Sequence, residues 1–280
     1  MRLGGTVAGR FETPEQWEEA LTRTGFRAVT APFSCRTDGD EIRRYCEIAA
    51  RHDVLIAEVG VWRNLMDPDE DAARDALAYA KDQLRLADRL GIPCCVNIAG
   101  TTSPVGWDAA DRANYTEEAY DRIVRTIREI LDEVRPERAY YSIEPMPWMV
   151  PDGPDEYLKL IRDVDRPMFG AHMDFVNMIN SPRRHLMAEE FIGECFTKLA
   201  PYIRSTHIKD SRMHPTRLTT VIEECSPGEG SLDFERILKI IDRCLPADAP
   251  VLLEHMTTAE EYARAYAFLS EKAAAASVAI

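Results

Sequence analysis

The sequence predicts an α/β protein built as a single (β/α)8 TIM barrel over residues 1–280. Short runs rich in Val, Ile and Ala alternate along the whole chain with longer segments whose apolar residues recur at helical spacing. The alternation repeats eight times, which is the number of units in a closed barrel of about 250 residues. A doubly wound sheet needs fewer units, and no segment has the composition of a linker between two domains. The glycine pair after the first strand, Gly4-Gly5, lacks the rest of a dinucleotide-binding GxGxxG motif.

Eight apolar runs are predicted as strands and eight amphipathic segments as the intervening and final helices. The strands, in chain order, are RLGGTV, FRAVTAPF, DVLIAEVGVW, IPCCVNIAG, AYYSIEPMP, MFGAHMDFVNM, RSTHIKDS and PVLLEHM. The helices are PEQWEEALTRTG, DEIRRYCEIAARHD, AARDALAYAKDQLRLADRLG, TEEAYDRIVRTIREILDEV, PDEYLKLIRDV, AEEFIGECFTKLAPYI, LDFERILKIIDRCL and AEEYARAYAFLSEKA. Each strand is therefore followed by one helix.

Start and stop signals support the helix boundaries. Thr13, Thr116 and Thr258 each precede a helical segment that has acidic residues in its first turn, as an N-cap should. Gly25 and Gly91 lie between a helix and the next strand, where a left-handed residue ends a helix well.

The amino-acid composition and net charge of the chain exclude several classes of binding partner. The chain carries a net charge of −14, and 45% of its residues are apolar. That composition excludes a disordered chain, and no segment reaches the roughly 18 uncharged apolar residues of a membrane span. Nucleic acid and anionic membranes both need a basic face, so neither is expected as a partner. The first residues lack the pattern of a signal peptide, and we expect a cytoplasmic protein.

Four predicted strands end in side chains that are costly to bury unless they are paired or bind a metal. Glu144 ends the fifth strand, Asp174 the sixth, His207 the seventh and Glu254 the eighth. Catalytic residues of these barrels lie at the C-terminal ends of strands. The ends of consecutive strands curve around half the rim, so we expect the four side chains to point at one centre.

Three carboxylates and one imidazole form an oxygen-rich ligand set. A single such residue is often part of an ion pair in a barrel core, but four on consecutive strand ends indicate a metal site. The set suits one divalent ion with exchangeable positions, Mn²⁺ first, with Mg²⁺ or Co²⁺ as alternatives. The charges of ion and carboxylates leave about −1, so a neutral sugar should bind more readily than a phosphate.

Further polar and aromatic residues are candidate substrate contacts, and each of them has core packing as its alternative. His172 shares a strand face with Asp174, Trp62 offers an apolar wall, and Asn97 and Lys209 offer polar groups. Glu58, on the third predicted strand, is noted without a specific role.

The motifs SIEPMP, HMDFVNM, STHIKDS, PGEGSLDFERIL and VLLEHM together resemble those of the xylose-isomerase-like barrel superfamily. That superfamily includes the D-tagatose/D-psicose 3-epimerases and, more distantly, endonuclease IV. The resemblance follows strand and helix order over the whole chain, and motif identity is concentrated in residues 142–256.

The resemblance implies that Glu144, Asp174, His207 and Glu254 are metal ligands. It also implies that Asp210 lies near the substrate. Two positions depart from the epimerase pattern. Asn177 stands where those enzymes usually carry a histidine, and Arg212 is one residue closer to His207 than their substrate-contacting arginine. Both are kept as predicted substrate contacts, and the identity of the sugar stays open.

The predicted activity is a metal-dependent sugar epimerase or isomerase that moves a proton next to a carbonyl through an enediolate. Glu144 and Glu254 are the predicted proton carriers. Carriers on opposite faces of the sugar would give epimerisation, whereas one carrier alone would give aldose–ketose isomerisation. The partner is then a small sugar or keto-sugar, and barrels of this family often assemble as homo-oligomers, here a dimer or tetramer.

The sequence leaves one alternative activity open and argues against two other functions. A lyase or dehydratase could use the same base and metal to expel a β-substituent from a keto-sugar or oxidised glycoside. A DNA-repair endonuclease needs more histidine ligands and a basic groove, against six histidines and the acidic charge here. A non-catalytic sugar-binding barrel would have lost a ligand or a glutamate, and none is missing.

Overall fold

Eight parallel strands close into a barrel in the computed structural model, which describes residues 1–280. Around the barrel their order is β1-β10-β7-β6-β5-β4-β3-β2, and β1 pairs with both β2 and β10. The predicted fold class is confirmed. The barrel strands are β1 (Arg2–Gly5), β2 (Ala28–Thr30), β3 (Leu55–Gly60), β4 (Cys94–Asn97), β5 (Tyr140–Ile143), β6 (Phe169–Asp174), β7 (Ile203–Ile208) and β10 (Pro250–Leu253).

Nine α-helices lie outside the barrel, together with one 3-10 turn at Arg112–Tyr115. Their bounds are α1 (Pro14–Leu21), α2 (Gly39–Arg51), α3 (Glu70–Leu90), α4 (Glu117–Val134), α5 (Pro154–Val164), α6 (Pro182–Leu186), α7 (Ala188–Leu199), α8 (Phe234–Cys244) and α9 (Ala259–Ala276). The short α6 was not predicted, and α7 ends at Leu199, shortly before Pro201, which has no N–H to continue the helical hydrogen bonds. None of these helices combines the length and the apolar character needed to cross a bilayer.

The helix caps predicted from the sequence are present. The hydroxyl of Thr13 accepts a hydrogen bond from the Gln16 amide, and Thr258 forms a reciprocal capping box with Glu261. Gly91 ends α3 in the left-handed conformation, with φ of 73°. These caps satisfy main-chain groups that a helix end otherwise leaves unpaired.

A β-hairpin that the sequence did not predict stands above the barrel rim. The sequence predicts one strand through Ser211 and then a long loop, but β7 stops at Ile208. The next residues form β8 (Asp210–Met213), which pairs antiparallel with β9 (Ile222–Cys225). Beyond the rim no barrel neighbour is left to satisfy the main-chain groups, and the second strand satisfies them instead.

The apolar core has two parts. The larger one fills the space between the strands and the surrounding helices. The smaller one lies inside the barrel and consists of Ala28, Ala57 and Leu252. Leu252 is two residues before Glu254, so this layer closes the barrel below the C-terminal strand ends and leaves a polar layer above it.

A β-bulge in β3 changes which of its side chains point into the barrel. Val29 pairs with Ile56 and Thr30 with Glu58, which leaves Ala57 without a partner on β2. Strict alternation would point Ala57 and Glu58 to opposite faces. The extra residue lets both face the interior, where Ala57 joins the small apolar layer and Glu58 contacts the polar layer.

Candidate metal centre

The four predicted ligands come together at the C-terminal rim. Glu144 directly follows β5, Asp174 is the last residue of β6, His207 is the penultimate residue of β7, and Glu254 directly follows β10. One ligand atom of each lies within 4.8 Å of the ligand atoms of the other three. The barrel geometry thus produces the single cluster expected from the strand ends.

Two fully buried atoms of this cluster, Nδ1 of His207 and Oδ2 of Asp174, have no aligned hydrogen-bond partner. Oδ2 of Asp174 has a charge contact with Nζ of Lys209 at 2.8 Å. Nδ1 lies 2.9 Å from Oε1 of Glu254 and 3.7 Å from Oε1 of Glu144, in charge contacts that lack hydrogen-bond alignment. A buried polar atom without a partner is costly. A buried imidazole nitrogen without an aligned hydrogen bond, surrounded by carboxylate oxygens, therefore fits a ligand of a divalent cation.

Glu58 fixes the orientation of the His207 imidazole through a hydrogen bond to its Nε2 atom. Its Oε1 lies 3.0 Å from Nε2 of His207, and its Oε2 lies 3.1 Å from Nε2 of His172 and 2.7 Å from the hydroxyl of Ser205. Burial raises the pKa of Glu58, but the two imidazoles outweigh that effect and hold its pKa below the usual range. An ionised carboxylate only accepts, so both Nε2 atoms carry hydrogen and Nδ1 of His207 is left to face the cluster.

Glu58, His172 and His207 also lie close enough to one another to hold an ion. Three donors already occupy the two oxygens of Glu58, so we assign this group to support of the imidazole. Carboxylates that orient a histidine ligand in this way are common beside metal sites.

Lys209 places a buried positive charge among the carboxylates. Its Nζ lies 2.8 Å from Oδ2 of Asp174, 3.0 Å from Oε2 of Glu254 and 3.1 Å from Oε2 of Glu224 on the hairpin. Burial lowers the pKa of Lys209, but these carboxylates outweigh burial and raise its pKa well above the usual value. The sequence suggested only a polar contact here. Its position two residues after His207, on the same strand face, was the available signal.

Protons and metal should compete for the cluster. Burial raises the pKa of Asp174 to about 7, although Lys209 opposes that shift. Burial lowers the pKa of His207, but Glu254, Glu58 and Glu144 outweigh it and raise the pKa well above the usual value. At neutral pH the metal-free cluster therefore holds protons that a cation must displace.

Mn²⁺ affinity should fall by about tenfold or more between pH 8 and pH 6. Asp174 is mostly ionised at the higher pH and mostly protonated at the lower one, because its pKa lies at about 7. Titration calorimetry in buffers of different ionisation enthalpy measures both the affinity and the released protons. Equal affinity at both pH values, with no proton release, would contradict this coupling.

A substitution at Glu58 should weaken metal binding without removing a ligand. Glu58→Gln replaces an ionised acceptor by a neutral amide below His207, and we expect Mn²⁺ affinity to fall by about 10–100-fold. Ser205→Ala, which removes one donor to the same carboxylate, is the matched control and should have a smaller effect. Unchanged affinity in Glu58→Gln would show that the imidazole needs no support from this side.

A cavity of about 1090 Å³ opens above the cluster. Glu58, Glu144, His207 and Glu254 line it, and so do the predicted contacts Trp62 and Asn177. The amide of Asn177 donates to Oε1 of Glu144 at 3.1 Å, while its main-chain N–H donates to Oδ1 of Asp174 at 2.9 Å. The residue that departs from the epimerase pattern thus holds two of the predicted ligands.

The structure does not bring the other predicted substrate contacts to the cavity. His172 is fully buried against Glu58, and Asn97 is buried with its side chain bonded to the main chain of Arg63. Arg212 is exposed on the hairpin, where it pairs with Glu223 at 3.3 Å.

Asp210 is also absent from the cavity wall, because its carboxylate is occupied elsewhere. It accepts hydrogen bonds from the main-chain N–H groups of Ser211, Gly228, Gly230 and Leu232. A side chain on Gly230 would collide with this carboxylate, at 2.2 Å from its Oδ1. In the structure Asp210 therefore organises the loop that follows the hairpin.

Comparison with known proteins places the barrel in a family. The family model described as xylose isomerase-like TIM barrel matches residues 18–272, and the chain belongs to that family. No curated protein sequence matches it. Among solved structures, it is similar to a xylose isomerase-like TIM barrel protein from Mycobacterium smegmatis in complex with magnesium. The TM-score is 0.71 at 16% identity, over 98% of this chain and 97% of that one.

Two further structures are similar over nearly their full lengths. An L-ribulose 3-epimerase matches with a TM-score of 0.71 and 16% identity, over 99% of this chain and 95% of that one. The probable 3-DHS dehydratase AsbF of Bacillus anthracis, involved in petrobactin synthesis, matches with a TM-score of 0.71 and 14% identity, over 96% and 97%. At such identities these likenesses establish the shared fold.

Proposed function

We propose that the protein is a divalent-metal-dependent sugar epimerase or isomerase that moves a proton next to a carbonyl group. One observation carries the proposal. Glu144 and Glu254 lie on the floor of the open cavity, within 4.8 Å of each other and of the donors of Asp174 and His207. Two carboxylates at one cation site, both open to a ligand, suit proton transfer at a carbon whose oxygen neighbours bind the cation.

The proposed ligands are Glu144, Asp174, His207 and Glu254, with Mn²⁺ as the first candidate ion and Mg²⁺ or Co²⁺ as alternatives. A bound divalent ion would act as a Lewis acid on the carbonyl and adjacent hydroxyl oxygens of the sugar and stabilise the negative charge that forms there. The M. smegmatis barrel with magnesium supports a divalent ion in this family.

The two glutamates are held differently, which supports separate roles as proton carriers. Asn177 donates a hydrogen bond to Glu144, and Glu144 is otherwise open to the cavity. Burial raises the pKa of Glu254, but His207 and Lys209 outweigh it and hold its pKa well below the usual range. Glu254 is thus ionised at neutral pH, and displacement of the His207 proton by a cation would remove part of the charge that weakens it as a base. Glu144 then serves as the second carrier, on the other side of the bound sugar.

Elimination of a β-substituent from a keto-sugar or oxidised glycoside is the second candidate. It would use the same carboxylates and the same ion. After proton removal the carbanion would expel the β-substituent instead of taking up a proton again. Two observations support it: the cavity has room for a leaving group, and the fold is shared with a probable dehydratase.

Proton NMR in D₂O separates the candidates. The metal-loaded protein is mixed with free ketoses and keto-glycosides, and the protein stripped with a chelator is the control. Epimerisation or isomerisation predicts metal-dependent exchange of one carbon-bound proton and a new sugar isomer. Elimination predicts release of water or an aglycone. Exchange that persists equally in the stripped protein, or no exchange and no elimination in any substrate of the panel, would overturn the proposal.

A further inference from the structure

We propose that Trp62, Trp107 and Trp148 form an aglycone subsite, so that the substrate is a keto-glycoside with a neutral aromatic aglycone instead of a free monosaccharide. The keto group on the sugar ring supplies the carbonyl that a simple glycoside lacks. This inference rests on the proposed function, because it takes the cluster on the cavity floor as the place where the sugar reacts. The three tryptophans are called the indole wall below.

The size of the cavity is the first argument. At about 1090 Å³ it lies just above the range of about 300–1,000 Å³ that is typical for drug-sized ligands. A monosaccharide is much smaller than such a ligand. A sugar bound at the floor would therefore leave the upper part of the cavity to water, between walls that are largely apolar.

The exposure of the indole wall is the second argument. Trp62, Trp107 and Trp148 keep 38%, 40% and 38% of their surface exposed, and all three line this one cavity. They come from the segments after β3, β4 and β5, which are neighbours in the barrel. Scattered exposed apolar residues are ordinary, but large aromatic residues that share one cavity mark a site for an apolar ligand.

Hydrogen bonds fix two members of the wall in place. Nε1 of Trp148 donates to the main-chain carbonyl of Asp108, the residue after Trp107, at 2.7 Å. The amide of Asn114 donates to the carbonyl of Trp148 at 3.1 Å and to that of Ala109 at 3.0 Å, and Thr101 holds its oxygen at 2.6 Å. The two loops are thus joined before any ligand arrives, which lowers the entropy cost of binding.

Trp62 is held by a specific backbone arrangement. Its φ is 47°, a conformation that is rare for a bulky residue and persists only where the surroundings impose it. Its ring lies over Gly60, where a side chain would come within 1.8 Å of Nε1. The glycine at the end of β3 therefore makes room for the indole at the cavity wall.

The charges of the lining specify the chemistry of the aglycone. No Lys or Arg side chain lines the cavity, whereas Glu144, Glu224, Glu254 and Asp108 do. The acidic groups of the lining outnumber its two imidazoles, His207 and His255, so the net charge disfavours an anionic aglycone such as a phosphate or carboxylate. The lining of the same cavity also includes Pro147, Val176, Ile179 and Pro182. A flat neutral aromatic ring matches these apolar surfaces, and it stacks on indole faces.

The test measures binding, so that it does not depend on turnover. Methyl and phenyl β-D-glucopyranoside, and the same pairs of β-D-galactopyranoside and β-D-xylopyranoside, are titrated calorimetrically into the Mn²⁺-loaded protein. We expect at least one phenyl glycoside to bind about tenfold more tightly than its methyl partner. Trp107→Ala and Trp148→Ala should each remove most of that gain while leaving the affinity of the methyl glycoside within about twofold.

Tyr115→Ala is the matched control, because Tyr115 is an exposed aromatic residue outside the cavity wall. It should keep the full preference for the phenyl glycoside. If no phenyl glycoside of the panel exceeds its methyl partner, or if the preference survives both tryptophan substitutions, the subsite is refuted. A phenyl preference that depends on the indole wall, together with absence of proton exchange in D₂O, would refute the proposed function and leave the subsite standing.

Discussion

Replacing either Glu144 or Glu254 by Gln should lower turnover by about 10²-fold or more at saturating metal. Glutamine keeps a neutral oxygen for the ion but cannot take up a proton, so the base is lost while the site remains. Both side chains lie on the cavity floor. Metal affinity should also weaken, because a ligand charge is removed, and the assay must therefore be run over a range of Mn²⁺ concentrations.

The direction of exchange distinguishes the two carriers. In an epimerase each glutamate serves one face of the sugar, so Glu144→Gln and Glu254→Gln should block proton exchange from opposite epimers. Glu223→Gln is the control, since Glu223 lies on the exposed hairpin and pairs with Arg212. Near-normal turnover of both test variants at saturating metal would show that neither carboxylate moves the proton. Glu224 and His255, which line the same cavity, would then be the groups to examine.

Asp174→Asn or His207→Ala should abolish binding of one divalent ion per chain, with a loss in affinity of more than about 100-fold. The first change removes a ligand charge and the second removes the imidazole nitrogen that has no hydrogen-bond partner. Metal content after dialysis and titration calorimetry both measure the effect. His214→Ala is the control, because His214 is exposed on the segment between β8 and β9. Full metal occupancy in the Asp174/His207 double variant would exclude the site.

The sequence predicted the barrel and the four-residue cluster for the same physical reason. Parallel strands buried on both faces read as apolar runs, and a charged residue at the end of such a run is conspicuous. Glu144, Asp174, His207 and Glu254 stand at such ends, and barrel closure alone brings them together. No side-chain detail is needed for that inference.

Glu58 shows where pattern reasoning fails. Strict alternation in DVLIAEVG puts Glu58 on the face opposite Leu55 and Ala57, and nothing in the sequence marks the bulge at Ala57. The bulge depends on register with β2, which is a tertiary property. The contacts of Glu58 with His172 and His207 could therefore not be predicted from the sequence.

The hairpin and two members of the indole wall, Trp107 and Trp148, were missed for a different reason, whereas Trp62 was predicted. Residues 210–225 contain no regular apolar run, and their pairing is set by the rim they stand on. Trp107 and Trp148 lie in segments without helix or strand periodicity, where the sequence gives no indication of which cavity they face. Asp210 was placed near the substrate by the resemblance to the epimerases, and the main-chain groups that occupy its carboxylate could not be predicted from the sequence.

The ammonium group of Lys209 has a consequence for the stability of the metal-free protein. It lies within 3.1 Å of oxygens from Asp174, Glu254 and Glu224 and so supplies an internal counter-ion to the carboxylates. Many small metalloproteins unfold when their ion is removed, because the ion itself balances the ligands. In this protein the ammonium group of Lys209 supplies part of the counter-charge, and it stays in the site when no ion is bound. We therefore expect the metal-free barrel to stay folded, so that the proposed ion could bind and dissociate without unfolding the protein.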